Sequence, residues 1–309
     1  MPLVVDLTAA LLAGLLAYVL AQWYARSPAT PAHPTEEAAR AVGEAIKPHR
    51  GLRQQFARRM DREVASGLLL TLALAVTLIG TVILGVLALL VRHVAFIQHI
   101  DNSVAAWGYD HRTSAALSGL RMVTEFGNIW VVAVVGVLVV VFDLFRKRSR
   151  WGWLFLLVVL AGMELADLGV KDLVGRLRPT LDPAAAALGP SFPSGHSATA
   201  AAFWAAIALI VGRNLPRRAQ PFFAAAAVAI AVAVAASRVL LDVHWLSDVI
   251  GGLALGWAWF ALCAVVFGGR LLIPTAAAET VSEEATTADT GANPPPSRRA
   301  ASRTTSAAR

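Results

Sequence analysis

The sequence predicts an all-α membrane protein, a six-helix transmembrane core bundle with one additional N-terminal hydrophobic helix. Three observations carry that prediction. Of the 309 residues, 57% are hydrophobic and only 15% charged, too apolar for an ordinary soluble domain. The apolar residues gather in runs near twenty long, enough to cross about 30 Å of hydrocarbon. The runs are continuous rather than alternating, which argues against a barrel. Backbone groups in lipid must be satisfied internally, so the runs are expected as helices.

In chain order, the first run covers residues 3–24. It lacks a positive n-region, carrying only Asp6, and is too long for the apolar segment of a signal peptide. It reads as a retained helix, with an interfacial helix as the alternative. The clearest run is GLLLTLALAVTLIGTVILGVLALLV at 67–91; others lie at 128–145, 151–170, 196–212, 220–236 and 248–269. Cys263, the single cysteine, falls inside the last run, so no intrachain disulfide forms; it reads as a small buried hydrophobe. Gly251, Gly252 and Gly256 in that run suit close helix packing. Three regions follow from these boundaries. Residues 1–62 hold the hydrophobic helix and a basic linker, 63–272 the six-span domain, and 273–309 an Ala/Thr/Ser/Pro-rich tail that cannot bury a core.

The net charge of +7 would suggest nucleic acid in a soluble protein. Here its placement argues for the bilayer as partner, and no nucleic acid. Residues 25–62 carry eight Lys or Arg, 146–150 four, 213–218 three and the C-terminal flank five, twenty of the 27. These loops alternate along the chain, so one side of the membrane takes them all. By the positive-inside rule that side is cytoplasmic, and the C-terminus with it. Trp23, Trp151 and Trp153 then fall at inner ends, Trp130 and Trp245 at outer ends, where indoles favour the interface.

Seven basic residues remain outside: Arg92, Arg112, Arg121, Lys171, Arg176, Arg178 and Arg238. Four of them lie in polar clusters where spans meet the external surface. The clusters are KDLVGRLRP (171–179), PSGH (193–196) and SRVLLDVHWLSD (237–248). Lys171, Arg178 and Arg238 are fixed cations suited to phosphate oxygens. Ser194 is a favoured N-cap and Gly195 lets backbone approach a ligand, so the helix start is an anion site. His196 and His244 are expected to titrate near neutral pH, as acid–base and nucleophilic roles require. His244 and Asp248 are four apart, so the spacing predicts a shared helix face on which the carboxylate holds one ring nitrogen protonated. Glu164 and Asp167 lie in the span leading to Lys171 and are expected to pair with a cluster cation. Arg92 and Arg112 read as membrane anchors, and His33, His49, His93, His99 and His111 as structural.

With all three clusters in order, the sequence resembles the type 2 phosphatidic acid phosphatases, a group of lipid phosphate phosphatases related to vanadium haloperoxidases. The family motifs K-x6-R-P, P-S-G-H and S-R-x5-H-x3-D are met at Lys171, Arg178 and Pro179, at Pro193 to His196, and at Ser237, Arg238, His244 and Asp248. The resemblance covers about 65–270. It implies that His244 attacks phosphorus, that Asp248 orients it, and that His196 protonates the leaving oxygen. Lys171, Arg178, Arg238, Ser194 and Gly195 would hold phosphate, with no metal and no cofactor. The implied substrate is a lipid phosphate, undecaprenyl diphosphate favoured over phosphatidic acid or phosphatidylglycerophosphate. A lipid phosphotransferase and a non-catalytic phospholipid transporter or scaffold are the alternatives. The oligomeric state is not legible.

Overall fold

The computed structural model describes residues 63–145, 151–179 and 189–271, apart from Asn214 and Arg217, together with part of 3–18. The expected linker at 25–62, the basic loop at 146–150 and the tail at 273–309 lie outside the described residues, as does much of the first run. Eight α-helices follow in order along the described core. They are α1 (Glu63–His93), α2 (Ala95–Asp110), α3 (Ser114–Thr124), α4 (Ile129–Phe145), α5 (Trp151–Val174), α6 (Gly195–Gly212), α7 (Gln220–Leu240) and α8 (Leu246–Leu271). No strand occurs among the described residues.

Five of these helices are long and apolar enough to span a membrane. The expected span at 128–145 is built differently. α4 has 17 residues, about 25 Å of helix, short of the hydrocarbon thickness. It passes as a span only together with α3 and the 3-10 turn Glu125–Gly127, from which it bends by 52°. Asn128 makes the bend. Its backbone is extended, its amide donates to the Glu125 carboxylate at 2.9 Å, and its side-chain oxygen accepts the Trp130 N–H at 3.1 Å. α3 itself starts where the Thr113 hydroxyl accepts the Ala116 N–H at 3.2 Å, an N-cap.

α8 is the hub, packing against α1, α5, α6 and α7. Its glycines let α6 approach backbone to backbone. A Cβ on Gly252 would stand 2.5 Å from the Ser194 carbonyl oxygen and 3.0 Å from the Ser197 Cβ; one on Gly256 would strike the Ala198 carbonyl oxygen. Below this seam the core is Phe155, Val159 and Met163 of α5 against Phe203 and Ala206 of α6, all fully buried. The outer faces stay apolar: Leu78 and Leu89 on α1, Val137 and Leu138 on α4, Leu165 on α5 are exposed. So wide an apolar belt is untenable in water and suits lipid tails. The described residues within 3–18 are helical and lie against α3 and α7, with Leu3 beside Gly119 and Gly14 beside Ala229.

Candidate active site

The end of α5, the start of α6, the end of α7 and the start of α8 meet at one end of the bundle, so all three clusters converge there. At the other end, Asp143 of α4 and Arg213 beyond α6 form an ion pair at 2.6 Å. Backbone bonds stitch the clusters together. Gly175, at φ +59°, turns the chain out of α5. Ser191 N–H then donates to the Arg176 carbonyl at 2.7 Å, and Ser194 N–H to the Asp248 carbonyl at 3.0 Å. The Trp245 indole N–H donates to the Leu177 carbonyl at 2.9 Å.

Arg178 ties its surroundings together. Its guanidinium donates to the carbonyls of Gly189 at 3.0 Å and Val243 at 2.8 Å, and to His244 Nε2 at 3.2 Å. An arginine has no acceptor, so Nε2 must present its lone pair and Nδ1 must carry the proton. That proton faces Asp248 Oδ2 at 3.5 Å, an electrostatic contact longer than a formed hydrogen bond. The expected shared helix face is not how the pair meets. His244 precedes α8, which begins at Leu246, and the two face each other across the entry turn. Asp248 also caps that turn, its Oδ2 accepting the Trp245 N–H at 3.0 Å, one half of a capping box. Contrary to the near-neutral titration expected of it, burial pushes the His244 imidazole down to about 4; Asp248 opposes this, while Arg178 and Arg238 reinforce it. Burial likewise lowers the Arg178 guanidinium from its ordinary value, offset by Asp248 and Asp167.

The other predicted residues surround this pair. Lys171 and Asp167 form the expected i, i+4 ion pair, and both stand over the first residue of α6: a Cβ on Gly195 would lie 2.9 Å from the Asp167 carboxylate and 3.1 Å from Lys171 Nζ. Glu164 departs from expectation, accepting the Thr199 hydroxyl at 3.0 Å instead of a cation. Arg238 donates to Thr124 Oγ1 at 3.1 Å, while its Nε is buried without a partner. His196 lies in the first turn of α6, half-buried, within the fields of Arg238, His244, Lys171 and Arg178. Ser194 holds the N-cap position of α6, yet its hydroxyl makes no capping bond; it accepts from the Ser197 hydroxyl at 2.9 Å.

Sequence reasoning missed a second layer. Arg176, counted only as an external cation, donates to Asp248 Oδ1 at 2.6 Å and to Asp101 Oδ2 at 2.7 Å. Asp101, on α2, also takes the Ser247 N–H at 2.9 Å and the Ser247 hydroxyl at 2.6 Å. A lone acid in HIDNSV has no motif spacing to announce it, though an acid on an otherwise apolar helix face is a signal.

A membrane helical bundle with four cations, Lys171, Arg176, Arg178 and Arg238, and two histidines gathered at one end defines a class of site with the charge to attract an anionic group. Residues 151–271 match the model of the PAP2 superfamily. The chain is 32% identical over 163 residues to a decaprenylphosphoryl-5-phosphoribose phosphatase of Mycobacterium tuberculosis, covering 50% of this chain and 82% of that one. The chain belongs to the PAP2 superfamily. It is also similar to phosphatidylglycerophosphatase B of Bacillus subtilis, at 35% identity over 38% of this chain and 60% of that one. With a lipid A 1-phosphatase of Rhizobium johnstonii it shares 40% identity over 37% of this chain and 47% of the relative. The chain thus spans about half to three fifths of the length of these two relatives. The crystal structure of a transmembrane PAP2 type phosphatidylglycerolphosphate phosphatase from Bacillus subtilis superposes with a TM-score of 0.56 at 26% identity, over 64% of this chain and 96% of that one.

Proposed function

We propose that the protein is an integral-membrane lipid phosphate phosphatase working through a phosphohistidine on His244. The observation that carries this reading is the setting of His244, with Arg178 at Nε2 and Asp248 at Nδ1. Arg178 donates to Nε2 at 3.2 Å, so the ring's lone pair lies on that nitrogen, among the cations of the site, and substrate takes the place of this bond; Asp248 faces Nδ1. Nε2 attacks phosphorus as the bond to the lipid oxygen breaks, and His196 gives that oxygen its proton. Water then attacks the phosphohistidine, His196 takes the proton back, and the N–P bond breaks to free phosphate. Lys171, Arg178, Arg238, the Ser194 hydroxyl and the Gly195 N–H hold the phosphate oxygens, so positioning and charge neutralisation supply most of the rate. The excess of Lys and Arg in the loops of the opposite side supports an extracytoplasmic face for this end of the bundle.

For the substrate, a polyprenyl-linked phosphate is supported by the relative of which this chain covers 82%, named for a decaprenylphosphoryl-5-phosphoribose substrate; within that class our reading is undecaprenyl diphosphate, which suits an extracytoplasmic site. Phosphatidylglycerophosphate is the second reading, supported by the relative and the solved structure named for it. Purified protein is expected to release phosphate from undecaprenyl diphosphate faster than from phosphatidylglycerophosphate or phosphatidic acid. The His244→Ala variant is expected to lose roughly 10³-fold or more of that rate. Turnover at the wild-type rate by His244→Ala would falsify the mechanism.

A further inference from the structure

We propose that Arg176 and Asp101 are positioning residues that clamp Asp248, the carboxylate facing His244. This rests on the reading of His244 as the nucleophile. Asp248 is fully buried, and its two oxygens are divided between two tasks. Oδ2 faces His244 and takes the Trp245 N–H; Oδ1 is held by Arg176 at 2.6 Å. Arg176 is anchored in turn by Asp101, 2% exposed, which fixes its other terminal nitrogen at 2.7 Å and grips Ser247, the residue before Asp248. One arginine thus spans two buried carboxylates and can turn away from neither without leaving a buried charge unpaired.

Arg176 and Arg178 are two residues apart and reach the catalytic pair from different sides, one at the Asp248 oxygen turned from His244, the other at His244 Nε2. A small displacement of Asp248 would misalign the Nε2 lone pair, and misplacement by about 1 Å costs on the order of 10²-fold in rate. Behind the clamp lies an open cavity of about 300 Å³, lined in part by Asp101, Asn102, Arg176 and Trp245. It gives small solutes a path to the Arg176 position.

The test uses purified full-length protein in detergent, with Arg176→Ala and Asp101→Asn compared on undecaprenyl diphosphate, phosphatidylglycerophosphate and phosphatidic acid. Each variant is expected to lower kcat by roughly 10–100-fold, the loss typical when a partner that orients a metal-ligating side chain is removed and taken as the scale for orienting His244. KM is expected to stay within about threefold, because neither residue touches substrate. Added methylguanidinium is expected to restore part of the Arg176→Ala rate through the cavity, which a merely structural role would not allow. A raised KM with kcat kept, a folded Arg176→Ala that methylguanidinium leaves unchanged, or an Asp101→Asn with wild-type kcat each overturns the clamp. Should Arg176→Ala not fold, Asp101→Asn decides. Wild-type protein that releases no phosphate from any of the three lipids overturns the proposed function, and the clamp falls with it. Release by wild type with unaffected variants overturns the clamp alone.

Discussion

His244 shows what one residue's surroundings do to its chemistry. A free imidazole is half protonated near pH 6.5 and a poor nucleophile below that. Burial at the turn before α8 pushes it to about 4, so Nε2 keeps its lone pair throughout the neutral range. The signs of the neighbours follow: Asp248 favours the protonated ring, Arg178 disfavours it. An NMR titration of labelled histidine in micelles should show no His244 transition between about pH 5.5 and 8. The midpoint should rise in Arg178→Gln and fall in Asp248→Asn; a wild-type midpoint near 6.5 would refute the assignment. The same shift bears on stability. The unfolded chain takes up a proton near pH 6.5 that the folded ring refuses until about 4, so this group lowers stability as pH falls through that window.

At the scale of elements, the contact between α6 and α8 sets the geometry of the site, because Gly252 lies under Ser194 one turn above Gly256. A Cβ on Gly256 would strike the Ala198 carbonyl oxygen and lie 2.7 Å from the Ala201 Cβ, with no flexible side chain to yield. Gly256→Ala should therefore destabilise the bundle by about 1–3 kcal/mol and lower phosphate release with it. Gly85, with nothing within 4 Å, is the control: Gly85→Ala should melt at or above the wild-type temperature. Equal melting of Gly256→Ala and wild type would count against the seam. The glycines, the long spans and the three clusters were legible because each is local: an apolar run, a helix-terminal turn, a fixed spacing. The bend between α3 and α4 was not, since 128–145 reads as an apolar run whatever precedes it. Nor were Arg176 and Asp101 legible as partners, being 75 residues apart and joined only by the packing of α2 on α8. The i, i+4 rule succeeded for Asp167 and Lys171, which share α5, and misdescribed His244 and Asp248, whose spacing straddles a helix start.

At the scale of the whole molecule, the distribution of charge gives a definite expectation for the side of the membrane that the site faces. Four of the seven basic residues placed outside, Lys171, Arg176, Arg178 and Arg238, converge on the site, while twenty lie in loops assigned to the other side. An anchoring role explains clustered loop cations; it does not explain cations turned into a polar pocket. Cys263 is buried at 4% exposure within α8, so the native chain offers a maleimide little to react with. Two single substitutions then report the two ends. Ser103 is exposed on α2, two residues beyond Asp101, so Ser103→Cys marks the end that holds the site. Ser282→Cys marks the C-terminal tail. In intact spheroplasts, a membrane-impermeant maleimide should label Ser103→Cys at once and Ser282→Cys only after permeabilisation. The reverse pattern would put the site in the cytoplasm, and the positive-inside count would then have misled, the site's own cations notwithstanding. The outcome also constrains the substrate, because only lipids whose phosphate reaches the labelled side of Ser103→Cys can be turned over.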